Sequence, residues 1–462
     1  MSLKKNSILI IASMAIFVEA LDIAIINLTI PSIQNQFSLS NDEVQWLQTL
    51  YVLLYGGFLI IGGKLSDLIG RKRVFIAGAI LFLVTSLGAG LSGSFIMLAL
   101  FRAVQGLAAA LIMPSALSIV THTFTEKHER SKAIGIFSSF AAVGSGSGLS
   151  IGGIISTYWG WHWVFLINVP ILAFVIVAAW LYLANDLHFH PPKIADITSG
   201  LLLVAGLLML SYGVHQLGEI KEHYFSISAI LTGAVLCFAI LYRRFTKQAQ
   251  PLIDLSIFRS ATISTANGVF ILLGAFFTGY LFIISLLLQK DMHYSAAEAG
   301  ILLVPFSILS AMVAKFIIPL MIKKITIRQL GTLGMAMMAI GGLLLFMSIL
   351  SGHSLLLLLL SAACVSGIGM TICFTSLSVL AVEGVPTQHY GLASSLTSTS
   401  YFLGAGIGLS ILSLFMQEDA SAAAVNHISM VILCAYAFTG LVWLVIFISR
   451  GNAYKLGMVG KS

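Results

Sequence analysis

Long apolar runs separated by short polar segments follow one another along the whole chain. A membrane-spanning helix needs about 20 apolar residues, and fourteen runs reach that length. They are too long and too continuously apolar to be the strands of a barrel, and only helices or closed barrels satisfy backbone groups in lipid. The pattern therefore predicts an all-α polytopic membrane protein. The predicted spans are 7–28, 46–65, 74–93, 95–119, 132–156, 162–183, 198–217, 224–243, 262–288, 297–320, 328–350, 353–380, 390–414 and 427–449.

The basic residues test this number of helices. If the N-terminus is placed inside, all but four of the 24 Lys and Arg residues fall on the same side of the membrane. Lys221 and Lys290 fall outside, and Arg102 and Lys315 lie within spans. A wrong helix count would scramble this asymmetry. We therefore predict a multi-pass protein of the plasma (bacterial inner) membrane, with both termini in the cytoplasm.

The longest cytoplasmic joints, 184–197 and 244–261, bracket two helices, with six helices before the pair and six after it. Weak internal repeats of this kind are typical of secondary transporters. We predict two six-helix bundles with an inserted central pair. The expected units are an N-terminal bundle at 1–185, the inserted pair with its linkers at 186–260, a C-terminal bundle at 261–450 and a short cytoplasmic tail at 451–462.

Composition supports the membrane assignment and restricts the kinds of partner that we expect the protein to bind. The chain is 58% hydrophobic and 9% charged, whereas soluble domains carry about 25% charged residues. The net charge of +7 comes from basic residues in short loops, so we expect a lipid bilayer as partner and no nucleic acid. The four cysteines all lie in apolar runs without a CxxC pair, as small buried apolar residues do. No ATP-binding loop or zinc signature is present, so we expect no metal and no cofactor.

Two acids stand inside the first span. Glu19 and Asp22 are three residues apart and therefore share a helix face. An ionised acid at a helix centre costs about 2.5–3.5 kcal/mol on insertion scales, so such a residue indicates function by default. Burial and mutual repulsion both favour the protonated acid. We predict a proton-binding site here; the alternative is that both acids only serve as polar structural partners of Arg102.

Arg102 lies in the fourth span, at a depth close to that of Asp22. At about 1.5 Å per residue, Arg102 is roughly 10 Å below the outer surface, and Asp22 is roughly 22 Å above the inner one. In a core about 30 Å thick, the two residues lie within one helical turn of the same level. The sequence therefore predicts a charge pair that faces a central cavity, with Glu19 one turn deeper.

The loop between spans two and three carries glycines and charges on the inner side. Gly63 and Gly70 permit a tight turn between packed helices. Asp67 can accept a hydrogen bond from a helix N-terminus or from Arg130 in the neighbouring loop. We predict that Gly63, Asp67, Gly70, Arg71 and Arg130 form a cytoplasmic gate in which the Asp67 contact forms in an outward-open state and loosens in an inward-open one; the alternative is plain anchoring by basic residues.

The fifth span is rich in small residues. Gly144, Gly148 and Gly152 make two overlapping GxxxG patterns, and Gly153 follows them. Small residues let helices approach closely, so this segment is predicted to be a helix-packing motif.

Five polar and aromatic residues within the spans are candidates for a substrate cavity, although most aromatic residues in such chains are packing or interface anchors. The candidates are Asn27, Tyr51, Gln105, Phe276 and Tyr280.

These segments together resemble the major facilitator superfamily, specifically its 14-span drug:proton antiporter branch, over nearly the whole chain. Residues 63–74 resemble the loop motif GxLaDrxGrkxxl, and 98–109 resemble the fourth-helix motif lxxxRxxqGxgaa. Residues 21–31 resemble the first-helix motif LDxTvvNvAlP. Further matching segments are 161–170, 251–258 and 404–409.

Three departures from the family pattern bear on mechanism. Leu149 stands where the antiporter motif gxxxGPxxGG has proline, which leaves the direction of transport open. The loop of the second half that matches the gate, 323–328, has lost its acid. Glu19 occupies a position that the pattern leaves open, so its role depends on the physical argument alone.

The resemblance implies a monomeric, proton-coupled secondary active transporter that exports drugs or small amphipathic metabolites by alternating access, and not an enzyme. One alternative is an importer or symporter of a siderophore or another metabolite. An integral-membrane enzyme would need a cluster such as His/His/Asp at one depth, but the eleven histidines are scattered. A non-transporting receptor on this fold is a further alternative. The substrate is not identified, although two acids favour cationic or zwitterionic compounds.

Overall fold

Helices make up nearly the whole of the described protein. The computed structural model describes residues 3–184, 196–248, 260–383, 390–415 and 427–459, and no strand occurs among them. Within these ranges, fourteen helices are long and apolar enough to cross a membrane, which confirms the predicted number. Each predicted span overlaps one of them. The segment 251–258, which resembles the family, lies outside the described residues.

The first six helices form one bundle. Within it, α1 packs most extensively against α5, and α4 packs against both α2 and α3. Gly70, which joins α2 to α3, has a φ of 103°, a conformation that side chains other than glycine rarely adopt. The helices are α1 Leu3–Ile25, α2 Trp46–Ile69, α3 Arg71–Gly90, α4 Phe95–Thr123, α5 Lys127–Tyr158 and α6 His162–Tyr182.

The inserted pair follows, as α7 Ile197–His215 and α8 Ile220–Lys247. Asp196 caps α7 by accepting from the Ser199 backbone at 3.2 Å, and Arg244 of α8 donates to the same carboxylate at 2.6 Å. Partial desolvation alone would raise the pKa of Asp196, but hydrogen bonds from Ser199 and Arg244 outweigh it and hold that pKa below its usual range. A lowered pKa keeps the Asp196 carboxylate ionised at neutral pH. Its hydrogen bonds with Ser199 and Arg244 therefore weaken only in acid, below the ordinary aspartate pKa of about 4.

The last six helices form a second bundle. Its closest packing is between α9 and α13, with α11 against α14. Capping boxes begin two of its helices, at Ser295 with Glu298 and at Thr326 with Gln329. The last helix continues past the predicted end of its span at 449. The helices are α9 Ala261–Asp291, α10 Ala296–Met321, α11 Ile327–Leu350, α12 Leu355–Val382, α13 Tyr390–Ser413 and α14 His427–Val459.

The inserted pair covers one side of the seam between the bundles. Helix α7 packs against α2 of the first bundle and α13 of the second. Ser211 and Ser410 are hydrogen-bonded across α7 and α13. Against α2, the rings of Trp46 and Tyr212 lie 5.9 Å apart between centroids. The pair therefore contacts both bundles at once along this seam.

On the other side of the seam, α5 meets α10 directly. Because the described residues contain an even number of candidate spans, α1 begins and α14 ends on one face, which we call the terminal face. Contacts between α5 and α10 lie towards the opposite face, where Ser150 donates to the Gly300 carbonyl at 3.1 Å. There Thr157 also accepts from the Ala297 backbone at 2.9 Å. At the end of α1, Ser285 donates to the Asn27 carbonyl at 2.5 Å. On this side of the seam the bundles are thus joined at the opposite face, whereas α2 and α13 meet along the other side, from Leu53 beside Gly406 to Ile61 beside Leu396.

The glycine motif of α5 sets the distance between α5 and α1. A Cβ atom added at Gly144 would lie 2.5 Å from the Phe17 carbonyl, and one at Gly152 would lie 2.6 Å from the Ile25 carbonyl. Gly153 faces α10 instead, where a Cβ would lie 2.0 Å from the Ala296 carbonyl. These approaches are too close for any larger residue, so the motif holds in place the helix that carries Glu19 and Asp22.

The first prediction compares two glycines of α5. A Cβ at Gly148 would lie 2.6 Å from the Ala24 Cβ, whereas one at Gly135 would meet nothing within 4 Å. Overpacking costs about 1–3 kcal/mol, and alanine favours a helix by about 1 kcal/mol over glycine. We expect Gly148→Ala to lower the thermal midpoint of the purified protein in detergent. Gly135→Ala should leave it unchanged or raise it. Equal midpoints for the two variants would contradict the packing described here.

Candidate functional site

A fully buried ion pair lies inside the first bundle. Nη1 of Arg102 on α4 is 2.5 Å from Oδ2 of Asp22 on α1, and both side chains are completely enclosed. The depths of the two residues are therefore matched, and their side chains meet directly. A charge removed from water needs a partner and hydrogen bonds to its remaining atoms. The side chains around the pair therefore contribute to its stability together with the ion pair itself.

The second oxygen of the Asp22 carboxylate is also satisfied. Oδ1 accepts from Asn168 on α6 at 2.9 Å and from Gln105 on α4 at 3.1 Å. Gln105 in turn accepts from Arg102 at 2.8 Å and donates to Ser86 on α3 at 2.8 Å. One carboxylate thus ties together α1, α4 and α6, with α3 reached through Gln105. The arrangement stabilises an ionised acid deep in an apolar interior.

Aromatic rings cover the Arg102 guanidinium. Its central carbon lies 4.3 Å from the ring centroid of Tyr51 on α2 and 5.8 Å from that of Phe165. Its Nε donates to the Leu47 carbonyl, also on α2, at 3.4 Å. Cation–π contacts gain strength when they are desolvated. Arg102 is therefore held on one side by Asp22 and on the other by α2.

Glu19 has surroundings of its own, one turn along α1 towards the terminal face. It is only 3% exposed, and one of its carboxylate oxygens accepts a short hydrogen bond from the Tyr55 hydroxyl on α2. The Tyr55 ring lies 4.2 Å from that of Phe402 on α13. Glu19 is thus one side chain away from the second bundle. The predicted proximity of Glu19 and Asp22 holds, but Glu19 contacts α2 and not Arg102.

The predicted cavity residues are all enclosed in this conformation. Each of the five has 0% exposure, so none lines an open space, and Asp22 and Arg102 do not do so either. Tyr51 and Gln105 belong to the surroundings of Arg102 described above. Phe276 and Tyr280 stack within the second bundle, where Ser361 donates to the Tyr280 hydroxyl at 3.2 Å. A direct role in substrate binding stays a prediction for a more open conformation.

The structure does not bring the gate residues Asp67 and Arg130 together. Arg130 donates to the carbonyls of Phe124 and Thr125 at 3.0 and 3.1 Å, at the end of α4, while Asp67 is exposed. The expected contact belongs to an outward-open state, whereas here the bundles are joined at the opposite face. The lock between Asp67 and Arg130 stays a prediction for that other state.

Three contributors to the site were not predicted from the sequence. Asn168, Ser86 and Tyr55 complete the hydrogen bonds of Asp22, Gln105 and Glu19. The available signal was a lone polar side chain within an apolar run, as at Asn168. Within the described residues, no group of three or more His, Cys, Asp or Glu side chains is placed to hold a metal ion.

Comparisons with known proteins agree on one family. A profile described as "Major Facilitator Superfamily" matches residues 12–409. The chain is 29% identical over 425 residues to the multidrug resistance protein Stp of Mycobacterium tuberculosis (strain CDC 1551 / Oshkosh), which covers 91% of this chain and 77% of that protein. It is 32% identical over 409 residues to the cephamycin export protein CmcT of Amycolatopsis lactamdurans, covering 87% and 83% of the two chains.

A solved structure has a similar fold. The peptide transporter POT in complex with sulfate superposes with a TM-score of 0.71 at 16% identity, covering 97% of this chain and 94% of that one. At this identity the likeness concerns the fold alone.

The second prediction concerns the stability of the buried pair. Arginine stays protonated, so Asp22→Asn leaves a permanent buried charge without its counterion, at a cost of about 3–5 kcal/mol. Arg102→Gln leaves an acid that can bind a proton, so its loss of stability should shrink as the pH falls. The double variant should recover part of the thermal midpoint lost in Asp22→Asn.

Glu129→Gln is the control for this prediction, because the Lys5–Glu129 pair is 37% and 29% exposed. An exposed pair contributes at most about 1 kcal/mol. If the decreases in thermal midpoint of the two single variants simply added in the double variant, the energetic coupling of Asp22 and Arg102 would be refuted.

Proposed function

The chain belongs to the major facilitator superfamily, and on that premise we propose that it is a proton-coupled secondary transporter that exports drugs or small amphipathic metabolites. The observation that carries the proposal is the buried Asp22 carboxylate, held by Arg102 and two amides in a membrane-embedded bundle. Relatives named for multidrug resistance and for cephamycin export support the substrate class.

Protonation of Asp22 is the proposed coupling step. The ionised carboxylate attracts Arg102 and accepts three hydrogen bonds, so a proton added to it weakens every one of these contacts. Once Asp22 is neutral, the contacts that connect α1 to α4 and α6 are weaker. A proton can therefore shift the balance between two arrangements of the bundle, to the extent that it binds one of them better. Arg102 keeps its charge throughout and acts as the fixed counterion.

We further propose that the two six-helix bundles are the units that move, with boundaries at 1–185 and 261–450. The excess of basic residues on the terminal face supports a cytoplasmic position for that face and for both termini. Because α5 and α10 are joined at the opposite face, we propose that this conformation is an inward-facing state in the plasma membrane. We propose that one chain is sufficient for transport.

A second candidate is import of a siderophore or another metabolite by the same proton-coupled machinery. Leu149, which replaces the family's proline, is the observation in its favour. It lies on α5 where that helix meets α10, and a Cβ at Gly300 would be 3.0 Å from its carbonyl. Counterflow in vesicles with an imposed proton gradient separates the two directions.

The third prediction tests coupling in proteoliposomes, with ethidium as a lipophilic cationic probe. Asp22→Asn should abolish ethidium flux driven by a pH gradient, because an amide cannot carry the proton. Glu19→Gln should mainly shift the pH dependence of the flux. Tyr436→Phe serves as control, because that hydroxyl donates to the Gly408 carbonyl within the second bundle. Flux in Asp22→Asn equal to that of the wild type would remove the proposed coupling.

The fourth prediction concerns the gate. If Asp67 pairs with Arg130 in the outward-open state, Asp67→Ala should slow transport and shift the population towards the inward-facing state. Accessibility of cysteines introduced on each face, measured with membrane-impermeant maleimide, reports that population. Unchanged labelling together with unchanged transport would show that Asp67 only anchors the loop.

A further inference from the structure

One face of α2, together with the residue that caps its N-terminus, carries a column of buried polar side chains. Gln45, Gln48, Tyr51 and Tyr55 are separated by three, three and four residues, a spacing that puts them on the same side of a helix. All four are at most 3% exposed. At about 1.5 Å per residue the column runs roughly 15 Å, from the end of α2 at the opposite face to the level of Glu19. We call it the α2 polar column.

Several polar atoms of this column have no protein partner. Within the described residues, Nε2 of Gln45, Oε1 of Gln48 and the Tyr51 hydroxyl are buried without a hydrogen bond. The same holds for two atoms beside the column, Nη2 of Arg102 and Oε2 of Glu19. Native proteins rarely leave buried polar atoms unsatisfied, and a buried water supplies the missing hydrogen bonds where a polar site has room for it.

The column leads to both acids of the candidate site. At its middle, the Tyr51 ring lies 4.3 Å from the Arg102 guanidinium, which is paired with Asp22. At its inner end, the Tyr55 hydroxyl donates to Glu19. Unpartnered atoms therefore follow one another from the opposite face to the two carboxylates, on the same helix face and within one bundle.

From this geometry we infer that the α2 polar column is lined by ordered waters and conducts protons from the opposite face to Asp22 and Glu19. The inference rests on the proposed function and deepens it. An excess proton that reaches the waters beside the enclosed Gln45 from the opposite face passes along them, and the last water delivers it to a carboxylate, which becomes neutral. Gln48 and Tyr51 orient the waters and do not ionise.

The groups that face this path come from three helices. Asp22 and Glu19 on α1 receive the proton, the tyrosine hydroxyls of α2 stay neutral, and Arg102 on α4 contributes a fixed positive charge. The neighbouring Asn168 on α6 and Phe402 on α13 carry no charge. Since the path lies inside the first bundle, protons would reach the acids while the bundles are joined at the opposite face, by a route separate from that of the substrate.

The first test measures hydration without any substrate. Hydroxyl radicals produced by X-ray radiolysis oxidise side chains next to bound water, even when these side chains are buried. Tyr51 and Tyr280 are both 0% exposed, but the Tyr280 hydroxyl is bonded to Ser361 in the second bundle. We expect Tyr51 to be oxidised several-fold faster than Tyr280 in the wild-type protein. Equal, slow oxidation of both tyrosines would overturn the inference.

The second test measures proton delivery. Gln48→Met keeps the length of the side chain but removes its hydrogen-bonding groups. It should slow ethidium flux driven by a pH gradient several-fold, while ethidium exchange without a gradient keeps the wild-type rate. Thr85→Val is the matched control, because that buried hydroxyl is satisfied by the Leu81 and Phe82 carbonyls of its own helix.

The outcomes of this second test separate the two claims. Gradient-driven flux at the wild-type rate in Gln48→Met would overturn the proton path and leave the proposed function standing. Absence of gradient-driven flux in the wild type would overturn the proposed function, and with it proton conduction, whereas radiolysis would still report whether the column holds water. Should Gln48→Met fail to fold, the radiolysis of the wild type decides the matter.

Discussion

The buried pair of Asp22 and Arg102 is the constraint on which the first bundle depends. Moving an ion into a low-dielectric interior costs several kcal/mol, and only good geometry and further hydrogen bonds offset that cost. Asn168, Gln105 and Ser86 supply those bonds. These three side chains come from α6, α4 and α3, and Asp22 comes from α1. The hydrogen bonds around the pair therefore determine how four helices are rotated about their axes. The glycine motif of α5 then lets α1 pack closely against α5.

The second bundle is organised differently. Phe270, Phe276 and Phe282 are fully buried there, and the buried polar contacts described for it, Tyr280 with Ser361 and Ser400 with Asn267, join neutral groups. Proton chemistry in our account is therefore confined to the first bundle. The contact of Tyr55 with Phe402 is the shortest described connection from an acid to the second bundle, so the ionisation of Glu19 can be sensed where the bundles meet.

The helices could be predicted from the sequence because hydropathy and length alone define a membrane span. The pairing of Asp22 with Arg102 followed from counting residues along two helices, since depth in a bilayer is fixed by the rise per residue. Rotation about a helix axis is not accessible in this way. For that reason the contributions of Asn168 and Ser86 were missed, and the predicted cavity residues Phe276 and Tyr280 are packed inside a bundle. The contact of Asp67 with Arg130 depends on the conformational state, which no local pattern encodes.

Transport is coupled to the protonation of Asp22 in this proposal, and proton release on substrate binding tests that coupling most directly. Ethidium is added to purified protein in weakly buffered detergent solution near neutral pH, and a pH indicator dye reports the released protons. We expect release on binding to the wild type and a clearly smaller release from Asp22→Asn at equal occupancy. Equal release from both proteins, or binding to the wild type without release, would contradict it.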